Sequence, residues 1–254
     1  MASYFSEAQV ASLYEGEEAA NRAFADLREC YLIRGYKDAH AGEHALHGFS
    51  RRLGTLIRAI NLVFEWLPPE LDAIPERDTV VDATIVIQSF VLNTFGCLDN
   101  LAWIFVHEKA VRKADGTALD PQGVSLGSKA VRAKFSKEFN DYIDSRNDWF
   151  KGIKDFRDAL AHRIPLYIPP FIVGPDVMDD YNRLEHESGA ALRAGKLEEY
   201  DRLQTEQKKL GRFRPWMTHS RTENAPSIVF HPQLLADFNT VDEFGREMLK
   251  ELGS

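Results

Sequence analysis

Apolar residues recur at helical spacing over most of this chain, and the elements follow from where that spacing starts and stops. Ser6 stands in an N-cap position, and Val10, Leu13, Tyr14, Phe24, Leu27 and Tyr31 supply an apolar face, which predicts a first helix from 6 to about 33. A second helix is predicted from about 42 to 66, where Leu67, Pro68 and Pro69 stop it. A third runs from about 79 to 111 and is apolar nearly all round, with Ile85, Ile87, Phe90, Val91, Leu92, Phe95, Leu98, Leu101 and Ile104 as the expected spine of a bundle, Phe95 among its buried residues. Residues 113–127 carry turn formers and no period, hence a long loop. Ser128 is expected to cap a fourth helical region, 129 to about 162, with a possible break at 145–147.

The pattern then changes. Residues 164–170, with Pro165, Pro169 and Pro170, read as an extended edge segment. A polar helix is predicted from about 176 to 209, a hairpin from 215–220 and 227–230 around the turn formers 221–226, and a last amphipathic helix from 232 to 252. The fold class is therefore mainly α: a helical bundle over 1–164, with a small β-hairpin element and a C-terminal helical extension over 165–254 packed on it.

Composition narrows the function. With 44% apolar, 28% charged and 11% aromatic residues, disordered, collagen-like and purely coiled-coil readings are excluded. The uncharged stretch 83–98 contains Thr84, Gln88, Ser89, Asn93 and Thr94, so it reads as a buried central helix with no membrane role. Two cysteines are too few for a disulfide framework, and residues 1–18 lack a signal pattern; a reducing, cytoplasmic compartment is expected. A net charge of −8 argues against broad electrostatic capture of nucleic acid. Charge is uneven, however, for residues 208–221 hold five bases and no acid. In that run Lys208, Lys209, Arg212, Arg214 and Trp216 mix cations with an aromatic ring, as a single-stranded nucleic-acid surface does; balancing the acidic start of the preceding helix is the plainer role.

Three motifs carry chemistry. Gly123, Ser125 and Gly127 match the Gly-x-Ser-x-Gly nucleophile elbow, but no apolar strand precedes them, so a flexible loop is expected. His40, Glu43 and His44 match a His-x-x-Glu-His metal arrangement on one helical face, with His47 following; a third ligand would have to come from elsewhere, and a polar helix face is the competing reading. Arg157, Asp158 and His162 lie at the end of an amphipathic helix that Pro165 terminates. Arg214 and His219 repeat the five-residue spacing, but in a β-like segment.

An Arg, a polar residue and, after three more, a His on the last core helix of an α-helical bundle resemble the signature of the HEPN superfamily (higher eukaryotes and prokaryotes nucleotide-binding domains). The resemblance covers about residues 6–163 and implies a HEPN-like bundle of four or five helices that forms a homodimer. It further implies a metal-independent endoribonuclease, without a cofactor, whose RNA is cut at an intersubunit cleft. A toxin subgroup carries Tyr two residues after the His; here that residue is Ile164. The residue chemistry is consistent with the resemblance. Cleaving RNA without metal needs a base for the 2′-hydroxyl, an acid for the leaving oxygen and a cation at the phosphoryl oxygens, which two His162 side chains and Arg157 supply. The alternatives are a non-catalytic nucleotide- or protein-binding module, with Arg157 merely paired to Asp155 or Asp158 and His162 capping its helix, and a metal-dependent hydrolase built on His40, Glu43 and His44.

Overall fold

A computed structural model describes residues 4–220 and 225–253. Helix α1 spans Glu7–Ile33 and opens with a full capping box: the Ser6 hydroxyl accepts from the Gln9 amide, and the Gln9 side chain accepts from the Ser6 amide. Leu13, Ala20, Leu27 and Tyr31 form its buried stripe, and the Tyr31 hydroxyl donates to the Gly245 carbonyl at 2.8 Å. Helix α2 (Ala39–Glu43), capped by the Asp38 carboxylate, passes through a π-helical stretch (His44–Phe49) into α3 (Ser50–Trp66). The second helix therefore starts three residues before the predicted 42. Leu67, at the foot of α3, leaves helical geometry (φ −129°, ψ 66°) just before the prolines.

Helix α4 (Arg77–Glu108) is the central element, touching α2, α3, the π-helical stretch and α10 (Phe230–Leu252), and, on another side, α7 (Asn147–His162). It is long and apolar enough by length and composition to cross a membrane, yet Ile87, Phe90, Val91, Leu98, Leu101 and Ile104 lie in the protein core. Three spine residues are not there: Ile85 and Leu92 are exposed, and Phe95 is half-buried. The all-round apolar pattern predicts cover on every side, but the neighbouring helices leave one stripe open at Val81, Ile85 and Leu92. Gly96 of α4 leaves room for the Arg52 guanidinium of α3, for a Cβ there would stand 2.5 Å from it, and Asn93 and Asn100 hold that guanidinium.

The fourth helical region is three helices, α5 (Lys129–Arg132), α6 (Lys137–Ser145) and α7. Ser128 makes no side-chain cap; Ser136 does, accepting from the Phe139 amide. The predicted break at 145–147 is the junction of α6 and α7. The polar helix likewise divides, into α8 (Met178–Arg193) and α9 (Leu197–Lys208), because Gly195 turns the chain with φ +69°. Strands β1 (Ile172–Val173) and β2 (Gly211–Arg212) pair antiparallel and tie the two ends of this helical hairpin together. β3 (Trp216–Met217) and β4 (Ile228–Val229) form the predicted hairpin; residues 221–224 of its turn lie outside those described. The extended segment after α7 joins it through reciprocal hydrogen bonds of Tyr167 and Thr218.

The apolar core runs across residue 164. Leu234, Phe238, Val241, Phe244 and Met248 of α10 belong to one cluster with α1, α3 and α4, whereas Leu184, Ala191 and Leu203 form a separate small cluster inside the α8–α9 hairpin.

Candidate functional site at the end of helix α7

Helix α7 buries Ile153, Phe156 and Ala159 and turns its other face outward. Pro165 cannot donate an amide, and Arg163 leaves helical geometry (φ −129°, ψ −135°), so the helix ends at His162. The imidazole is consequently exposed to solvent. One turn earlier the Asp158 carboxylate takes a hydrogen bond from Lys154 Nζ at 2.8 Å and lies 3.1 Å from Arg157 Nε. The Lys154 hydrogen bond, with Arg157 and His162 nearby, holds the Asp158 carboxyl below its ordinary range, so it is an anion at neutral pH. Arg157 is half-buried and its guanidinium lies over the half-buried Phe95 ring, 4.4 Å from the centroid. Asp99, one turn further along α4, also faces this guanidinium; burial raises its carboxyl, and Arg157 and Arg52 pull it back.

The second Arg/His pair is not a neutral copy of the first. His219 is 2% exposed, sets its Nε2 3.2 Å from Asp155 Oδ2 and packs edge-on to Phe156, so it fastens the hairpin to α7. Arg214 lies over the Tyr4 ring at 5.4 Å. Of the basic run, Lys208, Lys209 and Arg212 are exposed at the end of the α8–α9 hairpin, with Arg212 3.9 Å from Asp176; Trp216 sits in β3 with its ring against Tyr4 and half-buried. The run is not one continuous surface.

His40, His44 and His107 form a ladder with Trp103. The His44 ring stacks on Trp103 at 5.3 Å and on His107 at 5.5 Å, and His40 lies 5.3 Å from His107. His44 Nδ1 meets the Asn100 amide at 3.3 Å, and Glu43 is 3.8 Å from His40. Among the described residues no three His, Cys, Asp or Glu side chains converge as metal ligands, so the third ligand that the His40, Glu43 and His44 reading required is not supplied. Around Ser125 there is a one-turn 3₁₀ helix (Pro121–Gly123) and no strand, which removes the nucleophile elbow.

Sequence reasoning missed Phe95 and Asp99 as companions of Arg157, and Asp155 as the partner of His219. The first acid after an uncharged apolar run was a signal for Asp99; none existed for His219, whose partner is 64 residues away. Compared with family models, curated proteins and solved structures, the chain matches none.

Proposed function

We propose that this chain is a metal-independent endoribonuclease that cuts single-stranded or looped RNA as a cytoplasmic homodimer, with His162, Arg157 and Asp158 as its reacting groups. The observation that carries the reading is the exposed imidazole of His162 closing a helix whose preceding turn holds a carboxylate and a guanidinium. One His162 takes the 2′-hydroxyl proton, the oxygen attacks phosphorus, and the bond from phosphorus to the 5′ oxygen breaks. The His162 of the second copy, protonated, gives its proton to that oxygen, leaving a 2′,3′-cyclic phosphate and a 5′-hydroxyl. Arg157 balances charge on the phosphoryl oxygens, and Asp158 stands beside the Arg157 guanidinium. The open stripe of α4 supports the pairing of two copies. Val81, Ile85, Gln88 and Leu92 share one helical face, and Gln88 donates to the Leu166 carbonyl, so the apolar stripe runs past the end of α7.

A second reading has its own observation. Arg157 already lies beside the Asp158 carboxylate and over the Phe95 ring, as in a module that binds without cutting. Incubating a mixed RNA pool with the protein, with and without chelator, separates the two: chelator-resistant cutting supports the ribonuclease, absence of cutting the module, and chelator-sensitive cutting a metal enzyme. His162→Ala is expected to reduce cleavage about 10²–10⁴-fold with the melting temperature unchanged, since an exposed helix-end side chain supports little packing. Loss of folding in that variant instead makes His162 a structural cap.

A further inference from the structure

A cavity of about 400 Å³ opens between α4, α6, α7 and the loop after the 3₁₀ turn. Its walls include the Phe95 and Phe150 rings, with Leu98 and Leu126 behind them. Ser125 and Gly127 close one side, which gives the Gly-x-Ser-x-Gly loop a role as a wall. Asp99 is the one acid in this lining, and with the described residues it forms neither a hydrogen bond nor an ion pair. The two guanidiniums that face it are engaged elsewhere, Arg52 with Asn93 and Asn100, Arg157 with Asp158 and Phe95. Lys154, which also donates to Asp158, and Arg132, paired with Asp144, complete the charged part of the lining.

These features select an occupant. Aromatic and aliphatic walls suit a flat ring, and the size is that of a small-molecule site. A half-buried carboxylate without protein donors is free to accept N–H groups from a guest. Of the cations, Arg132 and Lys154 line the cavity, so an anionic tail is favoured beside them over a cationic one. Among nucleobases, guanine offers two adjacent N–H donors on its Watson–Crick edge, the match for both oxygens of one carboxylate. Adenine and cytosine set an acceptor beside their donor, and uracil flanks one N–H with two acceptors.

We propose that this cavity is a guanine-binding subsite in which the Asp99 carboxylate accepts from the base, the ring packs against Phe95 and Phe150, and Lys154 attracts the phosphate. The inference rests on the ribonuclease reading only in taking RNA as the source of the base, and binding is measured without cleavage. Titration calorimetry of the full chain with GMP, AMP, CMP and UMP is expected to show GMP bound at least about tenfold more tightly than the others. Asp99→Asn, which lowers the burial cost and should fold, is expected to abolish that preference. IMP, which lacks the 2-amino donor, is expected to bind about tenfold more weakly than GMP and needs no protein variant. Lys154→Met should weaken all four nucleotides while keeping the order. A 2′-O-methyl tetranucleotide with one guanine distinguishes the sources: tighter binding than GMP assigns the site to RNA, weaker binding to free nucleotide. His162→Ala should bind GMP as the unaltered protein does, so failure of cleavage leaves this inference standing. Four nucleotides bound equally, no GMP binding at millimolar concentration, or a GMP preference that survives Asp99→Asn each overturn it.

Discussion

Two buried ionisable side chains pull stability in opposite directions with pH. Asp237 accepts from Trp149 Nε1 and Gln233 Nε2, both at 2.8 Å, and burial pushes its carboxyl up to about 6. Between about pH 4 and 6 the folded chain keeps a proton that an unfolded Asp releases, so this residue lowers stability as pH rises through that window. His231 donates from Nε2 to the Leu67 carbonyl at 2.7 Å, and burial brings it down to about 4. There the unfolded chain binds the extra proton, and stability falls as pH drops from about 6.5 to 4. The two effects nearly cancel between pH 7 and 4.5. Asp237→Asn is therefore expected to lose about 2 kcal/mol more than the unaltered protein on that acidification, and His231→Gln to lose about 2 kcal/mol less, by urea unfolding at both pH values. Equal losses in all three proteins would contradict the assignment. Core placement gives a second residue-scale test: Phe90→Ala should cost about 3–5 kcal/mol, and Phe95→Ala distinctly less, because Phe90 is fully buried while Phe95 is half-buried. Sequence placed both phenylalanines on one helix but could not separate them, since burial depends on which neighbours arrive.

At the scale of elements, the long periodic helices were legible, and the interruptions were legible only in part. α1, α3, α4 and α10 each bury an apolar stripe at helical spacing. The division of α8 from α9 hangs on Gly195, a single glycine in a charged stretch, where tolerance inside one helix and a left-handed turn are equally compatible with sequence. Gly195→Ala is expected to destabilise the hairpin by about 1 kcal/mol, since a Cβ disfavours that φ. The hairpin has its own cluster, with Gln207 reaching Glu185 at 2.6 Å, so hydrogen exchange should speed up within α8 and α9 and stay unchanged in α4. Faster exchange across α4 as well would mean that the hairpin and bundle unfold as one unit. The α2–α3 passage was equally hidden, because a π-helical stretch keeps helical composition while shifting register.

For the whole molecule, residue 164 separates motifs but not cores. Helix α10 returns after the hairpin to fill the bundle, and its C-terminal carbonyl at Leu252 accepts from Arg34 and Lys109, cations placed where the helix dipole favours them. Removing residues 165–254 should accordingly unfold the bundle rather than release a stable domain. Helix α4 keeps an open apolar stripe, where Ile85 is 58% exposed. One chain offers one His162, whereas the proposed chemistry uses a base and an acid; a two-fold axis beside the α4 stripe supplies both and covers its apolar side chains. Light scattering at micromolar concentration is expected to give twice the chain mass of 28.9 kDa. Ile85→Glu, combined with Leu92→Glu, should yield a folded monomer, since both side chains are already solvent-facing, and it should lose RNA cleavage while retaining GMP binding in the neighbouring cavity. A monomeric native protein that cleaves at full rate would refute the shared active site and require the acid to come from within one chain.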